Sequence, residues 1–179
     1  ESRGEFLVFH HTGGLSVRVP DMDDELVQRW RSGDERAETS VREHIRSIVS
    51  RVLSRAQLHR ALGLDAAMEL RDAASLTRIC GEIADELMER QAGGASRLRA
   101  AAMMRSTQEA ILRLQSLPER RGDTHLPPQI LSALGLAPEG LGKAMTEASH
   151  RHLADCPVCR RDLALVKDLS ASLPQKGSP

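Results

Sequence analysis

At 179 residues and 19.6 kDa the chain can bury an apolar core as one ordinary domain or two small ones, and it is too short for a large multidomain enzyme. Its 25 basic side chains balance 25 acidic ones, so no overall field exists to hold nucleic acid or anionic lipid by counterion release. Aromatic residues make up only 2%, namely Phe6, Phe9 and Trp30 with no Tyr, which denies the chain a base-stacking surface and argues against direct nucleic-acid binding.

No apolar run approaches the roughly 18 residues of a membrane span, and no charged-then-apolar opening resembles a signal peptide, so a soluble, cytoplasmic protein with no membrane partner is expected. The first residue is Glu1 rather than Met. Three cysteines, Cys80, Cys156 and Cys159, are too few for a disulfide framework. Two of them form a C-x-x-C, which in a reducing compartment points to metal or redox chemistry.

The elements read as follows in chain order. Phe6–Phe9 and Leu15–Val19 are short β-prone runs, and His10-His11-Thr12-Gly13-Gly14 between them supplies turn residues, so residues 1–20 read as a β-hairpin closed by Pro20. From Asp23 the pattern is helical almost throughout. Asp23-Asp24-Glu25 places acids in a first turn, Leu26, Val27 and Trp30 form an apolar face, and Ser32-Gly33 stops the helix. Asp34 then caps a long helix with Ala37, Val41, Ile45, Ile48, Val49, Val52 and Leu53 in its stripe, broken at Gly63. A third helix after Asp65 carries Leu70, Ala74, Ile79, Ile83, Leu87 and Met88, with Cys80 in its core, and ends at Gly93-Gly94. A fourth carries Leu98, Ala101, Ala102, Ile111, Leu112 and Leu114 up to Leu117-Pro118. Residues 21–117 therefore read as a helical bundle.

The polar run Pro118–Asp123 reads as a domain boundary. Beyond it come a short helix from Pro127 to Leu134, another opening at Pro138-Glu139 and running to about Asp155, and a last one starting at Pro157, where a missing N–H costs nothing. The fold class expected is mostly α: a bundle with a short N-terminal hairpin and, over residues 123–173, a small helical module.

The chemistry of that module lies in His150-Arg151-His152-Leu153-Ala154-Asp155-Cys156-Pro157-Val158-Cys159, which contains H-x3-C-x2-C. Four residues apart on a helix, His152 and Cys156 share a face, and the turn at Cys156-Pro157-Val158-Cys159 brings the second sulfur beside the first. Zinc takes four such ligands in a tetrahedron at about 2.0–2.3 Å, so a fourth must come from elsewhere. The choices are His150, His125 and Cys80. His150 lies two residues before His152 and points away from it, and Cys80 reads as a core residue. His125, in the loop before Pro127-Pro128, is favoured.

These residues resemble the zinc-binding anti-sigma domain of bacterial transcription regulators. The resemblance rests on His152-x3-Cys156-x2-Cys159 followed by Arg160-Arg161-Asp162-Leu163-Ala164-Leu165, preceded by a short helix, a Pro-Glu turn and another helix. It implies a further Cys or His one helix pair upstream of the motif histidine, and His125 stands there. It implies a zinc ion held by His125, His152, Cys156 and Cys159 as structural ligands. It also implies capture of a sigma factor by the last helices, through apolar positions such as Leu163, Val166 and Leu169. The chain departs from that family in having His where Cys is common and in carrying the motif at its C-terminal end.

Residues 24–37, Asp-Glu-Leu-Val-Gln-Arg-Trp-Arg-Ser-Gly-Asp-Glu-Arg-Ala, followed by a long helix, are similar to the opening of region 2 of extracytoplasmic-function sigma factors. That similarity implies docking on RNA polymerase, but it fades after about residue 55. The aromatic residues that open promoter DNA are missing from residues 64–117. No G-x-x-x-x-G-K-[ST], G-x-S-x-G or H-E-x-x-H occurs, so no enzyme is expected. The function implied is a zinc-binding transcription regulator acting by protein contact, first an anti-sigma factor. The alternatives are a sigma-like protein docking on polymerase or DNA, and a non-transcriptional adaptor. Loss of the metal is expected to unfold residues 123–173 and spare the bundle.

Overall fold

Helix starts and stops follow local chemistry through most of the chain. In the computed structural model, which describes residues 22–58, 73–90, 93–116 and 124–171, helix α1 runs Asp24–Arg31. Asp23 caps it, its side chain accepting the Leu26 N–H at 2.8 Å. Gly33, at φ 91, turns the chain into α2, Glu35–Leu58. Asp34 opens α2 by accepting from the N–H groups of Arg36 and Ala37 at 2.9 and 3.1 Å, and Arg29 pairs with the same carboxylate at 3.0 Å. These bonds to the Ala37 and Arg36 amides, with Arg29 beside them, hold the Asp34 carboxyl below its ordinary 3.8.

Helix α3 spans Ala73–Glu89 and α4 spans Ala95–Gln115, with Gly93 at φ 63 before the latter. Gly94, the N-cap of α4, has no side chain to offer its first turn, and Asp24 of α1 instead accepts the Ala95 N–H at 2.7 Å. A Cβ on Gly94 would stand 2.5 Å from that carboxylate oxygen, so the cap from α1 requires glycine there. The stripes read from sequence form one core of Leu26, Val27, Ala37, Val41, Ile45, Val49, Leu53, Ile79, Ile83, Leu87, Leu98 and Leu114, with Cys80 among them. Leu112 instead lies 52% exposed. It sits about 100° round the helix from Ile111 and further still from Leu114, on the face turned from the core.

The C-terminal elements are α5, Pro128–Leu136; a 3-10 turn, Pro138–Gly140; α6, Lys143–Asp155; and α7, Pro157–Ala171. The helix expected from Pro138 onward is thus divided, because Gly142 is extended and α6 begins after it. Ile111 of α4, Leu131 of α5, Leu153 of α6, and Cys159 and Val166 of α7 form a second apolar cluster. Leu165 and Leu169 of α7 belong to the first. Val166 and Leu169 are 0% and 2% exposed, so these two positions, expected on a partner surface, are buried in the chain's own core. The described residues contain helices and no strand; the N-terminal hairpin, the breaks at Gly63 and Asp65 and the 118–123 boundary lie outside them.

Candidate metal centre

The α6–α7 corner presents the sulfurs. Cys156 leaves the helix in an extended conformation at φ -104 and ψ 103, its N–H still donating to the His152 carbonyl at 2.9 Å. Pro157 then opens α7 without an N–H to satisfy. The Cys159 amide turns back to Cys156 Sγ at 3.4 Å, which places both sulfurs on the inside of the corner. Arg160 locks the turn by donating through Nη1 to the carbonyls of Leu153 and Ala154 at 2.8 and 2.6 Å, a cation on the end of α6.

A third candidate ligand comes from the strap before α5. His125 Nδ1 stands 3.7 Å from Cys156 Sγ and 3.7 Å from Cys159 Sγ, and the three ligand atoms lie within 4.8 Å of one another. Bond lengths of about 2.3 Å to sulfur and 2.05 Å to nitrogen at a tetrahedral angle put N and S about 3.6 Å apart. The observed separations fit one shared ion. His152 Nε2 is 3.2 Å from Cys159 Sγ, beside this group but outside the trio that closes within 4.8 Å. His150, the rejected choice, is exposed on α6, and Cys80 is buried far along the chain in the bundle core, where desolvation pushes its thiol up.

Burial is the main influence on Cys159, which is 0% exposed: desolvation pushes its thiol up to about 11. The Leu126 N–H, donated to Cys159 Sγ at 3.3 Å, works the other way, whereas the neighbouring Cys156 and the carboxylate of Asp162 add to the rise. A cation between the sulfurs would reverse that balance, since it compensates a buried thiolate directly. The buried Asp162, one turn beyond Cys159 on α7, adds negative charge close to the site and so favours a cation there. Its position was readable from the i, i+3 spacing to Cys159; the contribution of the Leu126 amide was not, because backbone groups carry no sequence signal.

Compared with protein-family models, with curated proteins and with solved structures, the chain gives no match. The grouping of His125, Cys156 and Cys159, near enough to bind a metal ion, therefore stands on geometry alone. No helix of the described residues is long and apolar enough to cross a membrane.

Proposed function

We propose that this chain is a zinc-binding transcription regulator that acts by protein contact, first an anti-sigma factor, and that it is not an enzyme. The observation that supports it is the convergence of His125, Cys156 and Cys159, with His152 at its edge, in the helical setting that the anti-sigma resemblance implies. Two nitrogens and two sulfurs are a donor set suited to zinc, and four protein ligands leave no open position for a reactive water. Zinc bound there would staple the strap before α5 to the α6–α7 corner. His152, whose Nε2 stands 3.2 Å from Cys159 Sγ, would be the fourth ligand.

About one zinc per chain is expected, with His125 indispensable. His125→Ala should weaken zinc binding more than roughly tenfold, while His150→Ala, altering an exposed side chain outside the group, should leave it unchanged. Competition with a chromogenic chelator measures both, and equal losses would contradict the ligand set. Partner capture from the native cell with the zinc-loaded chain tests the function itself: a recovered sigma factor supports the anti-sigma reading.

One observation favours a second reading, that of a sigma-like protein docking on RNA polymerase. The short helix, Gly-Asp turn and long helix of residues 24–58 form as the similarity to sigma region 2 implies. Four of its arginines bond within the chain, Arg29 to Asp34, Arg31 to the Gly93 carbonyl, Arg42 to Glu38 and Asp85, and Arg51 to the Ser47 carbonyl, which weakens any appeal to nucleic acid. Recovery of polymerase core without sigma would favour this reading, and recovery of neither would favour an adaptor.

A further inference from the structure

Residues 124–127, which carry His125, precede α5, and the Pro127 carbonyl joins its first turn by accepting from the Ile130 and Leu131 amides at 3.0 and 3.1 Å. Two further bonds, made from outside that helix, hold Leu126. The Leu126 N–H donates to Cys159 Sγ at 3.3 Å, and the Leu126 carbonyl accepts from Nε2 of Gln115 at 2.8 Å. Gln115 is the last residue of α4, a helix whose buried face belongs mainly to the bundle. One residue next to the ligand His125 is thus held at its amide by the site's own sulfur and at its carbonyl by the bundle.

We propose that Gln115 is a positioning residue for the metal centre. By holding the Leu126 carbonyl it sets the approach of His125 Nδ1 to the two sulfurs and aims the Leu126 N–H at Cys159, so that metal affinity depends on the end of α4. The inference rests on the metal-binding reading above. Gln115 supplies no apolar side chain to either core cluster, so its removal leaves bundle packing in place.

The full chain loaded with Co2+ tests this, because cobalt occupies zinc sites of this kind and reports ligand geometry in its visible and sulfur-to-metal charge-transfer bands. Gln115→Met keeps the length of the side chain and removes the donor. It is expected to lower Co2+ affinity roughly tenfold and to alter the band pattern, with the melting curve in excess chelator shifted by only about 2–4 °C, as one lost hydrogen bond requires. Gln115→Lys returns a donor of similar reach and is expected to restore affinity and spectrum. Wild-type affinity and bands in Gln115→Met would overturn the proposal, as would a loss that Gln115→Lys does not restore. If the wild-type chain takes up no Co2+, the metal reading itself fails and takes the proposal with it; failure at Gln115 alone leaves that reading standing.

Discussion

Replacing Gly135 with alanine is expected to lower the thermal midpoint by roughly 4–8 °C, corresponding to about 2 kcal/mol, and to weaken metal binding at the same time. Gly135 lies where α5 crosses α7, and a Cβ built there would meet Val166, with Val166 Cβ only 3.0 Å away and Leu163 Cδ1 at 3.6 Å. Val166 is β-branched and fully buried, so rotating its side chain does not relieve a clash that involves its Cβ. The helices must separate instead. Alanine regains about 1 kcal/mol of helix propensity over glycine, and the overpacking cost of up to about 3 kcal/mol exceeds it. Separation moves the strap that carries His125 away from Cys159, which couples the packing defect to the site. Gly140→Ala is the control, since nothing lies within 4 Å of a Cβ added there. Thermal melting with and without zinc measures both variants, and a Gly135→Ala chain that melts with the wild type would show that the helices do not cross so closely.

Stripping the metal, or substituting Cys159→Ser, should have the other large effect. At free zinc a thousandfold above Kd, a ligand that binds only the folded chain stabilises it by about 4 kcal/mol, and that contribution disappears on chelation. The sequence leads one to expect unfolding confined to residues 123–173. The structure changes that expectation, because Leu165 and Leu169 of α7 sit in the cluster built by α1–α4, and Ile111 of α4 sits among the residues around Cys159. A destabilised α7 withdraws two leucines from the bundle core, so chelation should lower the stability of α2 and α4 as well. Hydrogen exchange resolved along the chain reads this directly: protection lost only beyond residue 123 would refute the shared core. The pH dependence follows from Cys159, whose thiol is pushed up to about 11 without metal. It enters the site protonated at neutral pH and must release its proton to bind. Affinity should therefore fall about tenfold per unit as pH drops, on this account alone.

The helices were legible because their apolar residues recur at the spacing of one buried face, as from Ala37 through Leu53, and because Asp23, Asp34 and Gly33 mark starts and stops by local chemistry alone. Cys156 and Cys159 were legible for the same reason, being close in sequence. His125 was favoured from its place in the loop before Pro127-Pro128, with the family likeness agreeing, but its approach to the sulfurs depends on how α5 folds back, which no local pattern encodes. What stayed hidden is tertiary. A glutamine at the end of a helix does not announce that it reaches the Leu126 carbonyl. A glycine inside α5 reads as a weak helix residue until Val166 is seen against it. Val166 and Leu169 read equally well as a docking stripe or as core, because periodicity says that a face is apolar and not what covers it.

The cap on α4 has a kinetic consequence. Its donor, the Ala95 N–H, finds its acceptor in Asp24, 71 positions earlier, so the first turn of α4 has no side-chain cap of its own and gains this bond only when α1 has docked. Closing so long a loop is costly before other contacts repay it, which places this contact late in assembly. An Asp24→Ala chain should fold at nearly the rate of the wild type and unfold faster, the mark of a contact absent from the transition state. The first helix would then govern how long the native bundle survives, and hardly at all how quickly it forms.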